Sequence, residues 1–336
     1  MKYFYPKFQN LHKPKLDLSD GLPGCEHLEI SKRVDGVLKG LLSAYEADVV
    51  YVEDLDISCV KLIHDDNYVD FLVKIESEIE DGVEYIPSIF RDDLSDAPLL
   101  FRGGMYSKEI GTPIMNKTIT AALNTANTTL KAAEYVLERD SSAFVLARPP
   151  GHHAGVKTYG GYCFFNNAYI GVEKLLNVYN KVSVVDIDYH IGDGSIEFSS
   201  KKAPYYSINA CEKTNYPYLD ANFNPNANNV KIVNFKDKTT GFKYVKMVEK
   251  LLEEVVNDGC DAIVLSLGFD TLAKDGYQDD KIYVEVADFK VIGEIFGRLK
   301  QNILIVFEGG YDAKQLELCG YNFMDGFGRK KGFITC

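Results

Sequence analysis

The chain has 336 residues, of which 46% are hydrophobic and 26% charged, and 37 Lys and Arg against 49 Asp and Glu give it a net charge of −12. This composition is typical of a globular protein; its acidic balance argues against a protein that binds nucleic acid through phosphates and suits a cationic substrate. Scattered cysteines without a CxxC pair, no secretory signal and no apolar run near the roughly 18 residues of a membrane span predict a cytoplasmic protein without a membrane partner.

Short apolar segments rich in β-branched residues alternate with longer amphipathic segments. We predict strands at 48–53, 142–147, 181–187, 205–209, 230–235, 261–267 and 302–308, and helices at 31–45, 117–138, 167–177, 242–257 and 284–299. Continuous apolar strands that are each followed by a helix indicate a parallel sheet covered on both faces. The fold class is therefore α/β: one doubly wound domain over 1–336 with a mostly parallel central sheet flanked by helices. The polar stretch 81–113 holds enough large apolar residues to be an ordered insertion or long loop.

Four of these strands end in residues that can do chemistry. The sequences RPPGHH, DIDYH, GFD and EGGYD follow the strands that begin near residues 142, 181, 261 and 302. Ligands of open α/β sheets bind outside the carboxyl ends of the strands. The sequence therefore predicts a functional site at this edge of the sheet.

The acidic residues at the strand ends can be interpreted as a metal site. Asp188, His190 and Asp270 would offer two carboxylates and one imidazole, and three protein ligands with an open position are typical of a catalytic zinc. The same donors suit Fe²⁺ or another first-row divalent metal. For Asp188 and His190 taken alone, a hydrogen-bonded pair that orders a loop is the alternative.

The histidine pair and a tyrosine could complete a hydrolytic site. Metal-assisted hydrolysis needs a base for the water and an acid for the leaving amine, and His152 and His153 could serve if carboxylates orient them. Asp186 and Asp193 are the candidates for that role. Tyr311, after two glycines, could donate a hydrogen bond to an oxyanion. Each of these residues alone also fits an ordinary turn or core position.

The order of the motifs carries a family resemblance. The segments RPPGHHAG, YGGYCFFNNA, VVDIDYHIGDGS, LSLGFDT and FEGGYD resemble, in that order, the successive motifs of the zinc-dependent histone deacetylase superfamily, which has the arginase/deacetylase fold. GTPI (111–114) followed by TAALNTA, the stretch TYGGYC and NYPYL (215–219) resemble the bacterial acetylpolyamine amidohydrolases more narrowly.

The resemblance implies a role for each matching residue. It implies zinc ligands at Asp188, His190 and Asp270; His153 as general base and His152 as an electrostatic group; Asp193 and Asp186 as their respective orienting carboxylates; and Tyr311 as the group that polarises the scissile carbonyl. It also implies a substrate tunnel lined by Tyr162 and Tyr216, with the Gly161 carbonyl accepting the amide N–H, and a structural K⁺ near Asp186, Asp188, His190 and Ser207.

The activity implied is removal of acetyl or other acyl groups from primary amines, with a small cationic acetylated polyamine as the expected substrate. Protein lysine deacetylation is the alternative; an inactive sensor of acetylated ligands and an arginase-like two-metal hydrolase are less favoured. Gly111 stands where acetylpolyamine-specific members can carry an acid, and Glu109 lies two residues earlier. Whether Glu109 recognises a distal ammonium, and whether the protein is a homodimer, stay open.

Overall fold

The computed structural model describes residues 1–19, 24–210, 214–219, 229–236, 238–275 and 282–334. In this part of the chain, eight strands form a central sheet: β1 (Lys2–Pro6), β2 (Val49–Val52), β3 (Ala143–Val145), β4 (Val182–Asp186), β5 (Tyr205–Asn209), β6 (Val230–Asn234), β7 (Ala262–Leu267) and β8 (Asn302–Phe307). Their order is β6-β5-β4-β7-β8-β3-β1-β2, and every neighbouring pair is parallel. The predicted parallel sheet is confirmed.

Helices cover both faces of the sheet. The helices of the described residues are α1 (Lys32–Ala44), α2 (Ser58–Lys61), α3 (Asp66–Glu78), α4 (Thr118–Arg139), α5 (Asn167–Leu175), α6 (Asp193–Phe198), α7 (Gly241–Asn257), α8 (Asp288–Gly297) and α9 (Leu316–Lys331). Helices α1, α7, α8 and α9 share one hydrophobic cluster with the sheet, and α4 and α5 share the other. Among the described residues, no helix combines the length and apolar character needed to cross a membrane.

Strand β7 shows why the sheet needs helices on both sides. Ile263, Leu265 and Leu267 belong to the first cluster, whereas Ala262 and Val264 belong to the second. Successive side chains of a strand point to opposite faces, so a strand that is apolar at every position must be covered twice. All of β7 is buried.

Two elements that carry much of the packing were not predicted, β1 and α9. Strand β1 has the sequence KYFYP, which is short and contains no β-branched residue, so it does not match the pattern used to predict strands. Helix α9 contains three glycines, which weaken helix propensity. These glycines permit close packing instead: a Cβ at Gly326 would lie 2.0 Å from the Lys290 carbonyl oxygen, and one at Gly320 would lie 3.0 Å from that of Val37.

The segment 81–113 is ordered, as predicted, through short pieces of regular structure. A two-stranded ladder joins Glu84–Tyr85 to Ile114–Met115, and a 3₁₀ helix spans Leu99–Met105. Similar short ladders join Leu16–Asp17 to Cys25–Glu26 and Thr239–Thr240 to Ile282–Tyr283, and a 3₁₀ turn spans Gln9–Leu11. Cys25, Cys59, Cys163, Cys260 and Cys319 are free thiols; Cys211 and Cys336 lie outside the described residues.

The strand order brings the chemically capable strand ends together. Strands β4, β7, β8 and β3 are consecutive neighbours in the middle of the sheet. Because all of them are parallel, the segments that follow them leave from the same edge. These are the segments that hold Asp188, Asp270, Tyr311 and the histidine pair.

Candidate active site

Asp188, His190 and Asp270 form a compact group whose possible metal-ligating atoms all lie within 4.8 Å of one another. Backbone amides fix both carboxylates: the Gly309 N–H donates to Oδ2 of Asp188 at 2.8 Å, and the Tyr189 N–H donates to Oδ1 of Asp270 at 2.9 Å. Both aspartates are buried. The structure thus places the three predicted ligands around one point.

Two glycines allow the carboxylates to approach the backbone so closely. A Cβ at Gly309 would lie 2.4 Å from Oδ2 of Asp270, and one at Gly268 would lie 2.3 Å from Oδ2 of Asp188. Any side chain at these positions would displace the carboxylates. Two carboxylates and one imidazole in this cradle are a donor set that fits a catalytic divalent metal.

The electrostatics of this group favour a cation. Burial lowers the pKa of His190, but hydrogen bonding to Asp188 and Asp270 and their charges outweigh it and raise the pKa to about 9. Nδ1 of His190 lies 3.1 Å from Oδ2 of Asp270 and 3.4 Å from Oδ1 of Asp188. Two buried carboxylates therefore attract positive charge to this point, and a divalent metal would supply it.

His152 and His153 lie beside this group, each against its own carboxylate. Nδ1 of His152 is 3.1 Å from Oδ2 of Asp186, and Nδ1 of His153 is 2.7 Å from Oδ1 of Asp193. Both histidines are buried, and their ring centres are 4.1 Å apart. The structure thus joins each histidine to the carboxylate predicted to orient it.

The two histidines have opposite pKa shifts. Burial lowers the pKa of His152, but Asp188 and Asp186 outweigh it and raise the pKa well above the usual range. Burial and the positive charge of His152 lower the pKa of His153 to about 3, although Asp193 opposes the change. A neutral imidazole with Nδ1 facing Asp193 has Nε2 free to accept a proton, whereas a charged imidazole cannot.

A buried carboxylate that the sequence reasoning missed holds the turn with the histidines. Oε2 of Glu308 accepts the backbone N–H groups of Gly151 at 2.7 Å and His152 at 3.2 Å, and its Oε1 accepts the Ser266 hydroxyl at 3.0 Å. Glu308 begins the motif EGGYD, so an acid at a buried strand end was the available signal. Its contacts fix the loop after β3 to the end of β8.

Tyr311 is held through its backbone and its ring. Its N–H lies 2.9 Å from both Oδ atoms of Asp275, which also accepts the Asp312 N–H. The guanidinium carbon of Arg33 lies 4.5 Å from the centre of the Tyr311 ring, which is a cation–π contact. Neither Asp275 nor Arg33 was singled out from the sequence, since both reach Tyr311 only through the tertiary fold.

Gly161, Tyr162 and Tyr216 lie next to the histidine pair and Tyr311. The Tyr216 ring stands edge-on to His153 at 4.8 Å between centres, and the Tyr162 ring stands edge-on to Tyr311 at 6.0 Å. A Cβ at Gly161 would lie 2.4 Å from Cδ2 of His153. The predicted tunnel residues and the predicted catalytic residues therefore occupy one region.

Two carboxylates adjoin this wall. Glu109 accepts the N–H of Gly161 at 3.1 Å and also that of Gly111, and Asp17 accepts the Tyr162 hydroxyl. A Cβ at Gly111 would lie 2.9 Å from Oε2 of Glu109 and 3.1 Å from Oδ1 of Asp17. Burial and the charge of Asp17 raise the pKa of Glu109 against the effect of its hydrogen bonds. Two acidic side chains therefore lie beside Gly161 and Tyr162.

Comparison with known proteins defines the class. The sequence model of the histone deacetylase domain matches residues 27–326, and the chain belongs to this family. Among its relatives, the acetylpolyamine amidohydrolase of Burkholderia pseudomallei is 30% identical over 99% of this chain and 100% of that protein. Acetylpolyamine amidohydrolase 1 of Pseudomonas aeruginosa is 28% identical over 96% of this chain and 97% of that protein.

The solved structures agree with this class. The crystal structure of acetylpolyamine aminohydrolase from Burkholderia pseudomallei superposes with a TM-score of 0.89 at 28% identity and covers 98% of each chain. The HDA15 HD domain superposes with a TM-score of 0.77 at 20% identity, covering 97% of this chain and 90% of that one, and supports the fold alone.

Proposed function

We propose that this chain is one catalytic domain that removes acetyl groups from acetylated polyamines, with its active site at the residues just described. One observation carries the proposal. A cradle for a divalent metal, Asp188, His190 and Asp270, lies beside two buried histidines that are each paired with a carboxylate. Hydrolysis of an amide needs a metal or other electrophile, a base and an acid in one place, and this region offers all three.

Asp188, His190 and Asp270 would hold Zn²⁺, and the same donors would also accept Fe²⁺. When bound, such an ion polarises the acetyl carbonyl and lowers the pKa of water. We assign the remaining chemistry to the protein. His153 takes a proton from the attacking water at Nε2, because its Nδ1 faces Asp193, and passes that proton to the leaving amine.

His152 and Tyr311 stabilise the negative charge that develops during the reaction. His152 lies between Asp186 and Asp188 and acts electrostatically on the negative charge that develops as water attacks. The Tyr311 hydroxyl donates to the oxygen of the scissile carbonyl as it becomes an oxyanion. The Gly161 carbonyl accepts the substrate amide N–H, and Tyr162 and Tyr216 enclose the acyl end of the substrate.

The negative charge beside the tunnel wall supports a cationic substrate. Glu109 and Asp17 lie next to Gly161 and Tyr162, and Gly111 separates the two carboxylates. An ammonium group placed here would favour the ionised form of Glu109, whose pKa burial raises. The curated relatives named above are acetylpolyamine amidohydrolases, which agrees with this choice.

The test compares two acetylated amines on the purified, zinc-loaded protein, with acetate release as the measurement. We expect kcat/KM for a monoacetylated diamine to exceed that for an acetyl-lysine peptide by about tenfold, the value of one partly buried charge interaction. A preference for the peptide would contradict the polyamine assignment and favour protein deacetylation. No turnover of any acetylated amine would contradict the deacetylase activity itself.

The variant Glu109→Gln tests the charge, because glutamine has nearly the same size and shape as glutamate. The N–H of Gly111 bonds Oε2 of Glu109 and the N–H of Gly161 bonds Oε1, so the single amide oxygen of glutamine keeps one of these two bonds. We expect its KM to rise several-fold for the diamine. An acetylated monoamine without a distal ammonium is the matched control, and its KM should stay constant. An equal change for both substrates would mean that Glu109 only supports the loop.

We propose a structural K⁺ near Asp186, Asp188, His190 and Ser207; the Ser207 hydroxyl is buried and has no hydrogen-bond partner among the described residues, which supports it. A homodimer and a cytoplasmic location stay predictions. The segment 81–113 exposes several large apolar side chains that a dimer would cover: Val83, Ile89, Phe90, Leu100 and Phe101. Light scattering of the native protein measures its mass and so tests whether it is a dimer.

A further inference from the structure

Lys108 makes contacts at the active site that neither the sequence motifs nor the proposed chemistry assigns. Its Nζ lies 2.6 Å from Oδ2 of Asp193 and 2.8 Å from the backbone carbonyl oxygen of His153. The other carboxylate oxygen of Asp193 lies 2.7 Å from Nδ1 of His153. One ammonium group therefore contacts both the carboxylate partner and the main chain of the same histidine.

This contact differs from an ordinary surface ion pair. The side chain of Lys108 is only 20% exposed and that of Asp193 16%, so water screens the pair weakly. The ammonium also has a second acceptor, the His153 carbonyl, which fixes its position between the two residues. A lone exposed lysine would lose this geometry by rotamer motion; here two short contacts oppose that motion.

The main chain of Lys108 is fixed to the tunnel wall. Its N–H donates to the Tyr159 carbonyl at 2.9 Å, and the Tyr159 N–H donates to Tyr106 at 2.8 Å. A Cβ at Gly160 would lie 3.0 Å from Cβ of Lys108. The residue thus joins the segment before Gly161 to the turn that carries the histidine pair.

We infer that Lys108 is a positioning residue for the proposed base His153, because it locks the Asp193 carboxylate and the His153 main chain in one arrangement. This inference rests on the proposed function. Without the ammonium, the Asp193 carboxylate keeps its bond to His153 but can rotate about its Cβ–Cγ bond. The Nε2 atom of His153 would then spend less time aligned with the attacking water, and alignment of reacting groups controls rate.

The variant Lys108→Met tests this, since methionine keeps a similar length and lacks the charge. We expect kcat for the acetylated diamine to fall about tenfold, KM to change less than about twofold, and zinc content and Tm to stay near the wild-type values. Lys108→Arg keeps a cation and should recover most of kcat. No recovery in Lys108→Arg would overturn the assignment of the effect to the positive charge.

The matched control is Lys174→Met. Lys174 pairs with Glu134 at 2.9 Å with 30% and 28% of the side chains exposed, and it lies far along α5 from the histidine turn. We expect its kcat to equal that of the wild type. Equal kcat in Lys108→Met and the wild type, or equal losses in the two methionine variants, would overturn the inference.

A second readout does not require turnover. In protein labelled with ¹⁵N-histidine, which contains six histidines, the Nδ1 proton of His153 should shift and exchange faster with water in Lys108→Met than in Lys174→Met. An unchanged resonance would overturn the positioning role. If the wild type hydrolyses no acetylated amine, the proposed function fails, and the resonance still decides whether Lys108 orders His153.

Discussion

The hydroxyl of Tyr205 lies 2.8 Å from Oδ2 of Asp186, the same oxygen that lies 3.1 Å from Nδ1 of His152. The hydroxyl also accepts the N–H of Gly192 at 3.1 Å. Tyr205 is buried on β5, so the surrounding side chains hold its ring in one position. Its hydroxyl therefore fixes the carboxylate that orients one of the two active-site histidines.

We expect Tyr205→Phe to lower kcat about tenfold while the zinc content stays constant, because the variant removes one hydrogen bond to a buried carboxylate and leaves the ring in place. Steady-state kinetics and metal analysis check this. Tyr206→Phe is the matched control: the Tyr206 hydroxyl bonds Asp258 at 2.6 Å, away from the histidines. Similar kcat values for the two variants would show that Tyr205 only fills space.

Asp186 and Asp188 should respond differently to substitution although they share one strand end. Asp186 contacts His152 through Oδ2, and Asp188 is one of the three grouped donors. We expect Asp186→Asn to lower kcat at least tenfold and to retain zinc, and Asp188→Ala to lose both zinc and activity. Metal content per chain, measured beside kcat, checks the pair. Zinc loss in Asp186→Asn would show that Asp186 acts mainly on the metal site.

Removing the metal from the wild-type protein should abolish activity, as we expect for Asp188→Ala. A chelator should abolish acetate release, and added zinc should restore it, because the proposed reaction lacks an electrophile without the ion. Full turnover by the chelated protein would contradict the metal-dependent chemistry.

Tyr311→Phe should separate oxyanion stabilisation from substrate binding. The change removes the hydroxyl and keeps the ring that stacks on Arg33. We expect kcat to fall by about 10² to 10³, as for the loss of an oxyanion donor, with little change in KM. A loss below about tenfold would mean that the hydroxyl does not contact the reacting carbonyl.

The sequence indicates which residues come together at this edge of the sheet, because these residues follow apolar strands in short motifs. Asp188, Asp270 and Tyr311 each follow a strand that reads as a continuous apolar run, and parallel strands place such residues at one edge. The strand order was not predicted, because local patterns do not encode which strands pair. Only the structure shows that β4, β7, β8 and β3 are neighbours.

The supporting residues were missed for a related reason. Lys108 is 85 residues from Asp193 in the chain, and Arg33 is 275 residues from the Glu308 carbonyl that it bonds. Nothing in the local sequence distinguishes them from surface lysines and arginines. Helix α9 was missed because its glycines, which lower helix propensity, are required by the close approach of α1 and α8.

Glu29 is the centre of a buried ion-pair cluster behind Tyr311. Its Oε1 lies 2.7 Å from Nη1 of Arg33 and 2.9 Å from Nε of Arg148, and all three side chains are buried. Burial raises the pKa of Glu29, but Arg148 and Arg33 outweigh it and lower the pKa to about 2 from an ordinary value of 4.5. The ionised form is thus strongly preferred in the folded state.

This shift predicts how stability depends on acid. A carboxyl whose pKa is lower in the folded state stabilises the fold above its unfolded pKa, and the contribution is lost as pH falls from about 4.5 to about 2. The expected loss is on the order of 3 kcal/mol in the free energy of unfolding. Urea unfolding at several pH values between 5 and 2 measures it.

Glu29→Gln is the variant that isolates this contribution. It should be less stable at pH 7 by about 3–5 kcal/mol, because it leaves two buried guanidinium groups without their carboxylate. Its free energy of unfolding should then fall less steeply than that of the wild type as pH drops from 5 to 2, since the group that takes up the proton is gone. Parallel curves for the two proteins would mean that the pKa of Glu29 is the same in the folded and unfolded states.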